Sequence, residues 1–357
     1  MTYKAIRFSA DNKSAMDKFL SLPRKLYRRD ELVQDTAAEK ALLTGTHTLS
    51  KYFEVYPILV LDENEDPAAR CVITVYPDRE CAYFGFFECV DDIFAVKALM
   101  SRAESLAAKL GRNSLVGPVD CSFWIRYRLK TNHFGTPYTG EPYNKYYYDS
   151  LLKACGYGVC GEYISNKFPA VPKGLKNELF GQKLAEFEKM GLTLEESTPK
   201  TFDRCLRDVY SLMIDLYSDF QTYTEITEEE FCQLFSPLKK VIDGSMVRMA
   251  YHEGRAVGFF VSVPDFGNAA GGDITPRKLM KIMKIKRKPR RYIMMYMGAD
   301  PAYHGLGKAM SESIRQTLTE NGAESVSALI RKGKVNSGYY AGLVQYRYEY
   351  KLYEKTL

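Results

Sequence analysis

Apolar positions along this chain fall into strand-like and helix-like periods, and their order outlines two similar halves. In the first half, residues 56–61, 69–76 and 81–88 are short apolar runs between turn residues, which predicts an antiparallel meander. Pro169, Pro172 and Gly174 interrupt any regular element and predict a boundary, giving domains 1–170 and 171–357. Beyond it, residues 192–196 predict a strand. Residues 201–220 predict a helix with Phe202, Leu206, Val209, Leu212, Met213 and Leu216 on one face. Thr227 with Glu230 has the spacing of a capping box, which starts the next helix. Residues 246–251 and 256–263, joined through His252, Glu253, Gly254 and Arg255, predict a hairpin.

The most informative pattern lies near the C-terminus. Six apolar or aromatic residues, 292–297, predict a buried strand. It leads through Gly305 and Gly307 into an amphipathic helix over 308–319. A turn at Asn321 and Gly322, a strand over 325–330, the segment Asn336-Ser-Gly-Tyr-Tyr340 and an alternating strand over 346–353 come next. A helix N-terminus presents unpaired N–H groups and partial positive charge, and glycine lets a phosphate come close. The layout suits a diphosphate-bearing ligand. An ordinary strand-to-helix turn would use the same glycines, and Gly156 with Gly158 forms a second such pair without a comparable strand before it.

The unit occurs twice. A shift of 211 residues lays Lys97, Ala98, Gly111 and Ser114 on Lys308, Ala309, Gly322 and Ser325. A shift of 192 lays Asn144, Tyr147, Tyr148 and Leu151 on Asn336, Tyr339, Tyr340 and Leu343. The difference of 19 places an insertion in the first copy, within 117–142. That copy lacks the glycine turn, and Asp91 and Asp92 stand before its helix. They complement the helix dipole and would repel a diphosphate. The ligand site is therefore expected in the second half alone.

Composition narrows the choices. No run of 18 apolar residues exists and the N-terminus lacks an apolar signal core, so a cytoplasmic protein is expected. Eight scattered cysteines and four distant histidines predict reduced thiols and no sequence-local metal site. Neither a serine-hydrolase elbow nor a nucleotide-hydrolase phosphate loop is present. The net charge of +6 is uneven: residues 277–291 carry nine positive charges and no acid, leaving about −3 for the rest. Three roles compete for that stretch: a solvated helix, attraction of an anionic ligand, and docking on an anionic membrane surface. Nucleic acid is the weakest option, since no RNA-binding motif accompanies the charge.

The strand, glycine turn, helix, strand and Asn/Tyr segment together resemble the acyl-CoA-binding core of the GNAT N-acetyltransferase superfamily. The phosphate loop there has the form Gln/Arg-x-x-Gly-x-Gly/Ala, and here the first position is Ala302. Both halves together resemble bacterial tandem GNAT-like proteins. In the first half this rests on Tyr83 to Glu88 with Asp91 and Asp92, Gly117 and Pro118 with Ser122, and Pro142 to Asn144 with Tyr147 and Tyr148. In the second half it rests on Val257 to Phe259, Pro264 with Asp265, and the basic stretch before the glycine turn.

The resemblance implies an α/β (α+β) protein of two GNAT-like domains, each a mixed sheet with helices on both faces. It implies acyl-CoA, acetyl-CoA or longer, as co-substrate, no metal, and a small-molecule amine acceptor. Backbone groups at Gly305, Leu306, Gly307 and Lys308 would hold the diphosphate. The N–H near Met297 would polarise the thioester carbonyl, and Asn336 would contact the pantetheine arm. Tyr339 or Tyr340 would protonate the thiolate, with Tyr340 favoured if Asn336 to Tyr340 is helical. No residue is singled out as the base, and Asp300 reads equally as a turn cap. Trp124, Phe123, Tyr127, His133 and Phe134 in the insertion would shape an acceptor pocket or simply fill a core. The function implied is an N-acyltransferase. The alternatives are a non-catalytic acyl-CoA-binding or sensing protein and an aminoacyl-tRNA-dependent transferase.

Overall fold

Strands and helices form where the residue pattern asks for them, in a computed structural model that describes residues 2–270 and 275–357. Two units result, one of the chain up to Glu162 with Glu349–Leu357, the other of Tyr163–Ala270 and Thr275–Tyr348.

The first half runs β1 (Lys4–Arg7), α1 (Lys13–Leu26), α2 (Thr36–Leu43), β2 (Glu54–Leu61), β3 (Pro67–Val75), β4 (Cys81–Cys89), α3 (Ile93–Lys109), β5 (Ser114–Gly117), β6 (Leu129–Lys130), α4 (Tyr148–Ala154) and β7 (Gly158–Phe168). The second runs α5 (Glu178–Lys189), β8 (Thr193–Glu195), α6 (Phe202–Tyr217), α7 (Glu228–Phe235), β9 (Val247–His252), β10 (Arg255–Pro264), α8 (Pro276–Arg287), β11 (Arg291–Ala299), α9 (Leu306–Asn321), β12 (Glu324–Arg331) and β13 (Tyr346–Thr356).

Side chains that cap orphan N–H groups start most of the helices. Asn12, Asp35, Asp92, Asn177 and Thr275 each accept a bond from their helix's first turn. Thr227 and Glu230 make the reciprocal capping box on α7. In α9 the N-cap is Gly305 at φ +96° with no side-chain cap, so that helix end keeps polar groups open.

In the first unit β1, β2, β3 and β4 are antiparallel neighbours, β4 pairs parallel with β5, and residues 353–356 of β13 pair antiparallel with β5. Val96, Leu99, Met100, Ala103 and Ala107 bury one side of α3 against Ile58, Val60 and Ile73. Each larger side chain so buried is worth about 1.5–3 kcal/mol. In the second unit β8, β9, β10 and β11 are antiparallel, β11 pairs parallel with β12, and β12 pairs with residues 163–168 of β7. Here α9 buries Leu306, Ala309, Met310, Ile314 and Leu318 against Val257, Phe260 and Tyr292.

The duplication is visible in the register. Cys81, Ala82 and Tyr83 pair with Ser114, Leu115 and Val116. Tyr292, Ile293 and Met294 pair with Ser325, Val326 and Ser327. Both sets are related by the same shift of 211. The crossover helices also end alike, on left-handed Gly111 and Gly322.

The segment from Asn336 to Tyr340 is not α-helical. Val335–Gly338 form a 3-10 turn, Tyr339 is extended and Tyr340 sits at φ +52°. The glycine at 338 and the β-preferring tyrosines end the turn after one cycle. All eight cysteines are free thiols. Among the described residues no helix is long and apolar enough to cross a membrane.

Candidate active site in the second unit

Strand β11 has two different edges. Its pairing with β10 continues to Ala299, whereas its pairing with β12 stops at Met294. The two parallel strands therefore part, and a gap opens beside Met295, Tyr296 and Met297. The direction of each backbone group is set by the ladder. Asp300 donates its N–H to the Val257 carbonyl at 2.8 Å, which marks that pair as hydrogen-bonded. Such pairs alternate along antiparallel strands. The pair Phe260 and Met297 is then of the open kind, so the Met297 N–H and carbonyl face the gap. Consistently, the Tyr217 hydroxyl of α6 donates to the Met297 carbonyl at 3.4 Å.

The turn into α9 sits at the end of this gap and is braced from several sides. Asp300 accepts from the Ala302 N–H at 2.9 Å and pairs with Arg255 at 3.0 Å, so it caps the turn. The Tyr303 hydroxyl meets His252 Nδ1 at 2.8 Å. Leu306 N–H donates to Tyr303 and Lys308 N–H to Gly305, at 3.0 and 2.9 Å. Those two amides serve the turn itself, while Gly305 and Gly307 show no such bond among the described residues.

Several residues anticipated for the site meet here. A Cβ placed on Gly307 would lie 3.2 Å from the Tyr339 hydroxyl and 3.6 Å from Cε of Met297. Ser311 Oγ donates to the Gly307 carbonyl at 2.7 Å and lies 3.8 Å from the Met297 sulfur. Tyr339 and Tyr340 both pack edge-on against Phe180 of α5, at 5.0 and 4.8 Å. Asn336 is half-buried in the 3-10 turn, and its carbonyl accepts the Tyr339 N–H at 3.2 Å. Burial raises the Tyr339 phenol.

Tyr340 points elsewhere. Its hydroxyl donates to Glu312 at 3.0 Å, and the same carboxylate accepts from Arg315 at 2.8 and 2.6 Å. Burial, and then the Glu312 charge, hold the Tyr340 phenol far above its usual range. Two further neighbours have no local signal in the sequence. The aliphatic stem of Lys183 of α5 would lie 3.0 Å from a Cβ on Gly305, while its ammonium pairs with Glu186 at 2.6 Å. Tyr217 covers the Met297 carbonyl from α6.

The equivalent gap in the first unit is filled by its own chain. Phe86 corresponds to Met297 under the 211-residue shift, and its N–H donates to Asp120 Oδ1 at 2.5 Å. Val119 N–H donates to the Phe84 carbonyl at 2.7 Å, and a Cβ on Gly85 would lie 2.0 Å from the Val119 oxygen. Asp92 caps α3 through the Phe94 N–H at 2.8 Å and accepts from the Tyr3 hydroxyl at 2.7 Å. Both elements that stay open in the second unit thus carry a carboxylate in the first. Of the aromatic residues in the inserted segment, Phe123 packs on Trp124 and Tyr127, each at 5.2 Å, and Phe134 on Tyr143 and Tyr146.

No protein-family model matches the chain. It is 25% identical over 287 residues to a bacterial ceramide synthase of Caulobacter vibrioides, covering 76% of this chain and 74% of that protein. A tandem GNAT protein from the clavulanic acid biosynthesis pathway superposes with a TM-score of 0.52 at 11% identity, over 99% of this chain and 98% of the other. A probable N-acyltransferase from Enterococcus faecalis V583 gives 0.50 at 10% identity, over 100% and 73%. The chain has the tandem GNAT-like fold.

Proposed function

We propose that the protein is an acyl-CoA-dependent N-acyltransferase whose site lies in the second unit and whose acceptor is a long-chain amine. The observation that carries this is the meeting of Met297, Gly307 and Tyr339 at the end of the β11–β12 gap. The amides of Gly305 and Gly307 hold the diphosphate at the N-terminus of α9. Asn336 contacts the pantetheine arm. The Met297 N–H, fixed by the strand, stabilises negative charge on the thioester oxygen as the amine attacks. The C–N bond forms and the C–S bond breaks. Tyr339 gives its proton to the departing thiolate and recovers one from the nitrogen by way of solvent.

The acceptor class rests on the name of the relative, a bacterial ceramide synthase, since a ceramide is by definition an N-acylated long-chain base. Incubating the chain with acetyl-CoA or palmitoyl-CoA, with and without a long-chain base, and titrating free thiol tests the reading. Thiol release that needs both substrates supports it. Thermal stabilisation by acyl-CoA without release would instead favour a non-catalytic binder. Neither effect, with salt-dependent tRNA binding, would favour the aminoacyl-tRNA-dependent alternative.

A further inference from the structure

Helix α8 buries one side and exposes the other in an arrangement that its own stability does not require. Ile282 is 4% exposed and, with Ile285, packs on Phe266, Ala269 and Val241. On the far side Leu279, Met280 and Met283 are 52%, 67% and 48% exposed. With about 100° per residue, these three fall within a sector of about 100°. The helix has six cations and no acid: Arg277, Lys278, Lys281, Lys284, Lys286 and Arg287. Arg277 and Lys284 border the apolar sector on one edge and Lys286 on the other. Lys286 also donates to the Lys240 carbonyl at 2.6 Å, which brings the 236–240 turn and its two lysines alongside.

We infer that this face of α8 docks on an anionic lipid membrane, lying in the interface with Leu279, Met280 and Met283 inserted between headgroups. Charge alone would serve any polyanion. The apolar sector separates the options, because Leu and Met side chains gain from an acyl boundary and nothing from a phosphate backbone. The Arg277 and Lys284 stems border that sector and Arg287 enters it at its C-terminal end, which places their charged heads at the level of lipid phosphates. The inference stands apart from acyl transfer, since lipid binding is read without substrate.

The test is co-sedimentation of the full chain with vesicles of phosphatidylglycerol and phosphatidylcholine, against phosphatidylcholine alone. Binding to the anionic vesicles is expected, and it weakens as salt rises. Reversing three exposed charges together (Lys281→Glu, Lys284→Glu, Arg287→Glu) should lower the partition on the order of 100-fold, from roughly fivefold per basic residue. The triple change Leu279→Ser, Met280→Ser, Met283→Ser should also release the protein, with an unchanged circular dichroism spectrum because none of the three is in the core. Equal sedimentation with neutral and anionic vesicles would overturn the inference. So would full binding by either triple variant. Tight tRNA binding that the serine variant retains, without vesicle binding by the parent chain, would assign the face to nucleic acid.

Discussion

Removing one hydroxyl from each tyrosine of the Tyr339–Tyr340 pair separates proton transfer from packing, because the two phenols have opposite surroundings. Tyr340 holds a buried carboxylate: its hydroxyl lies 3.0 Å from Glu312, which Arg315 also grips. A hydrogen bond to a charged acceptor is worth about 1.5–3 kcal/mol. Tyr340 is only half-buried, so the lower end applies, about 1.5 kcal/mol. For a unit of this size 1 kcal/mol moves Tm by about 2–4 °C. Tyr340→Phe should therefore lower Tm by about 3–6 °C. It should reduce turnover only modestly, since a phenol bonded to a carboxylate surrenders its proton reluctantly.

Tyr339 is the converse case. Its hydroxyl lies against Gly307 and has no hydrogen bond among the described residues, so Tyr339→Phe should leave Tm nearly unchanged. Loss of a general acid costs roughly 10²-fold or more, here in kcat with acyl-CoA affinity little altered. Thermal melts and thiol-release kinetics on both variants decide the matter. Normal turnover in Tyr339→Phe would refute the assignment of the acid. A Tyr340→Phe variant as stable as the parent, yet inactive, would reverse the two roles.

Other perturbations draw on the same geometry. Gly307→Glu starts its side chain 3.2 Å from the Tyr339 hydroxyl and brings a carboxylate to the diphosphate position, so stabilisation by CoA should vanish while the fold survives. In the parent chain that stabilisation is about 2.7 kcal/mol at a hundredfold excess over Kd, and an undiminished shift in the variant would exclude this site. Deleting Glu349–Leu357 removes Tyr350, Leu352 and Tyr353, all at most 1% exposed, at about 1.5–3 kcal/mol each, which approaches the whole stability of a domain. Amide exchange should show the first unit unprotected and the second still protected; equal loss in both would refute that division. Burial raises the Glu88 carboxyl above its ordinary 4.5, although the Arg70 charge and the Tyr27 and Tyr148 hydroxyls oppose the rise. A raised folded value contributes stability below 4.5 that is lost as pH rises through it. Chemical denaturation of the parent and Glu88→Gln should therefore show the parent's relative stability falling from acid to neutral pH, and a constant difference would contradict it.

Much of the local structure of the candidate site was legible in the sequence because it rests on local rules. The glycines at 305 and 307 announced a bare helix start, and Gly305 takes the left-handed conformation that only such a residue adopts freely. Residues 292–297 announced a strand, and in the structure Tyr292 and Ile293 of it are buried while 294–297 are half-buried beside the gap. The repeat shift of 211 anticipated the pairing register, since equal spacing between strand and crossover strand fixes equal partners. The parts that stayed hidden depend on distant segments of the chain. Lys183 and Phe180 approach the glycine turn from a helix far upstream, and no spacing rule links them to it. The alternation over 346–353 predicted a strand, but its pairing with β5 of the first unit is a tertiary choice. The preference for Tyr340 rested on an α-helix that does not form, and the 3-10 turn directs the neighbouring tyrosine to Gly307.

The two gaps differ in what the chain places in them. Both copies part their parallel strands at the same register position, so the sheet alone does not decide which gap can receive a ligand. The decision lies in the segment that leaves the crossover strand. In the first copy the inserted segment turns back at Gly117 and Pro118, laying Val119 and Asp120 across the strand end. Gly85 is needed for that approach, because any side chain there would strike the Val119 carbonyl. Asp120 then occupies the amide that corresponds to Met297 and is itself held by Arg126 at 2.5 Å. A thioester oxygen in that position would have to displace a carboxylate already neutralised by its partner, which costs far more than displacing water. In the second copy the segment after β12 turns at Val335–Gly338 and brings the Tyr339 hydroxyl, rather than a carboxylate, beside Gly307 and Met297.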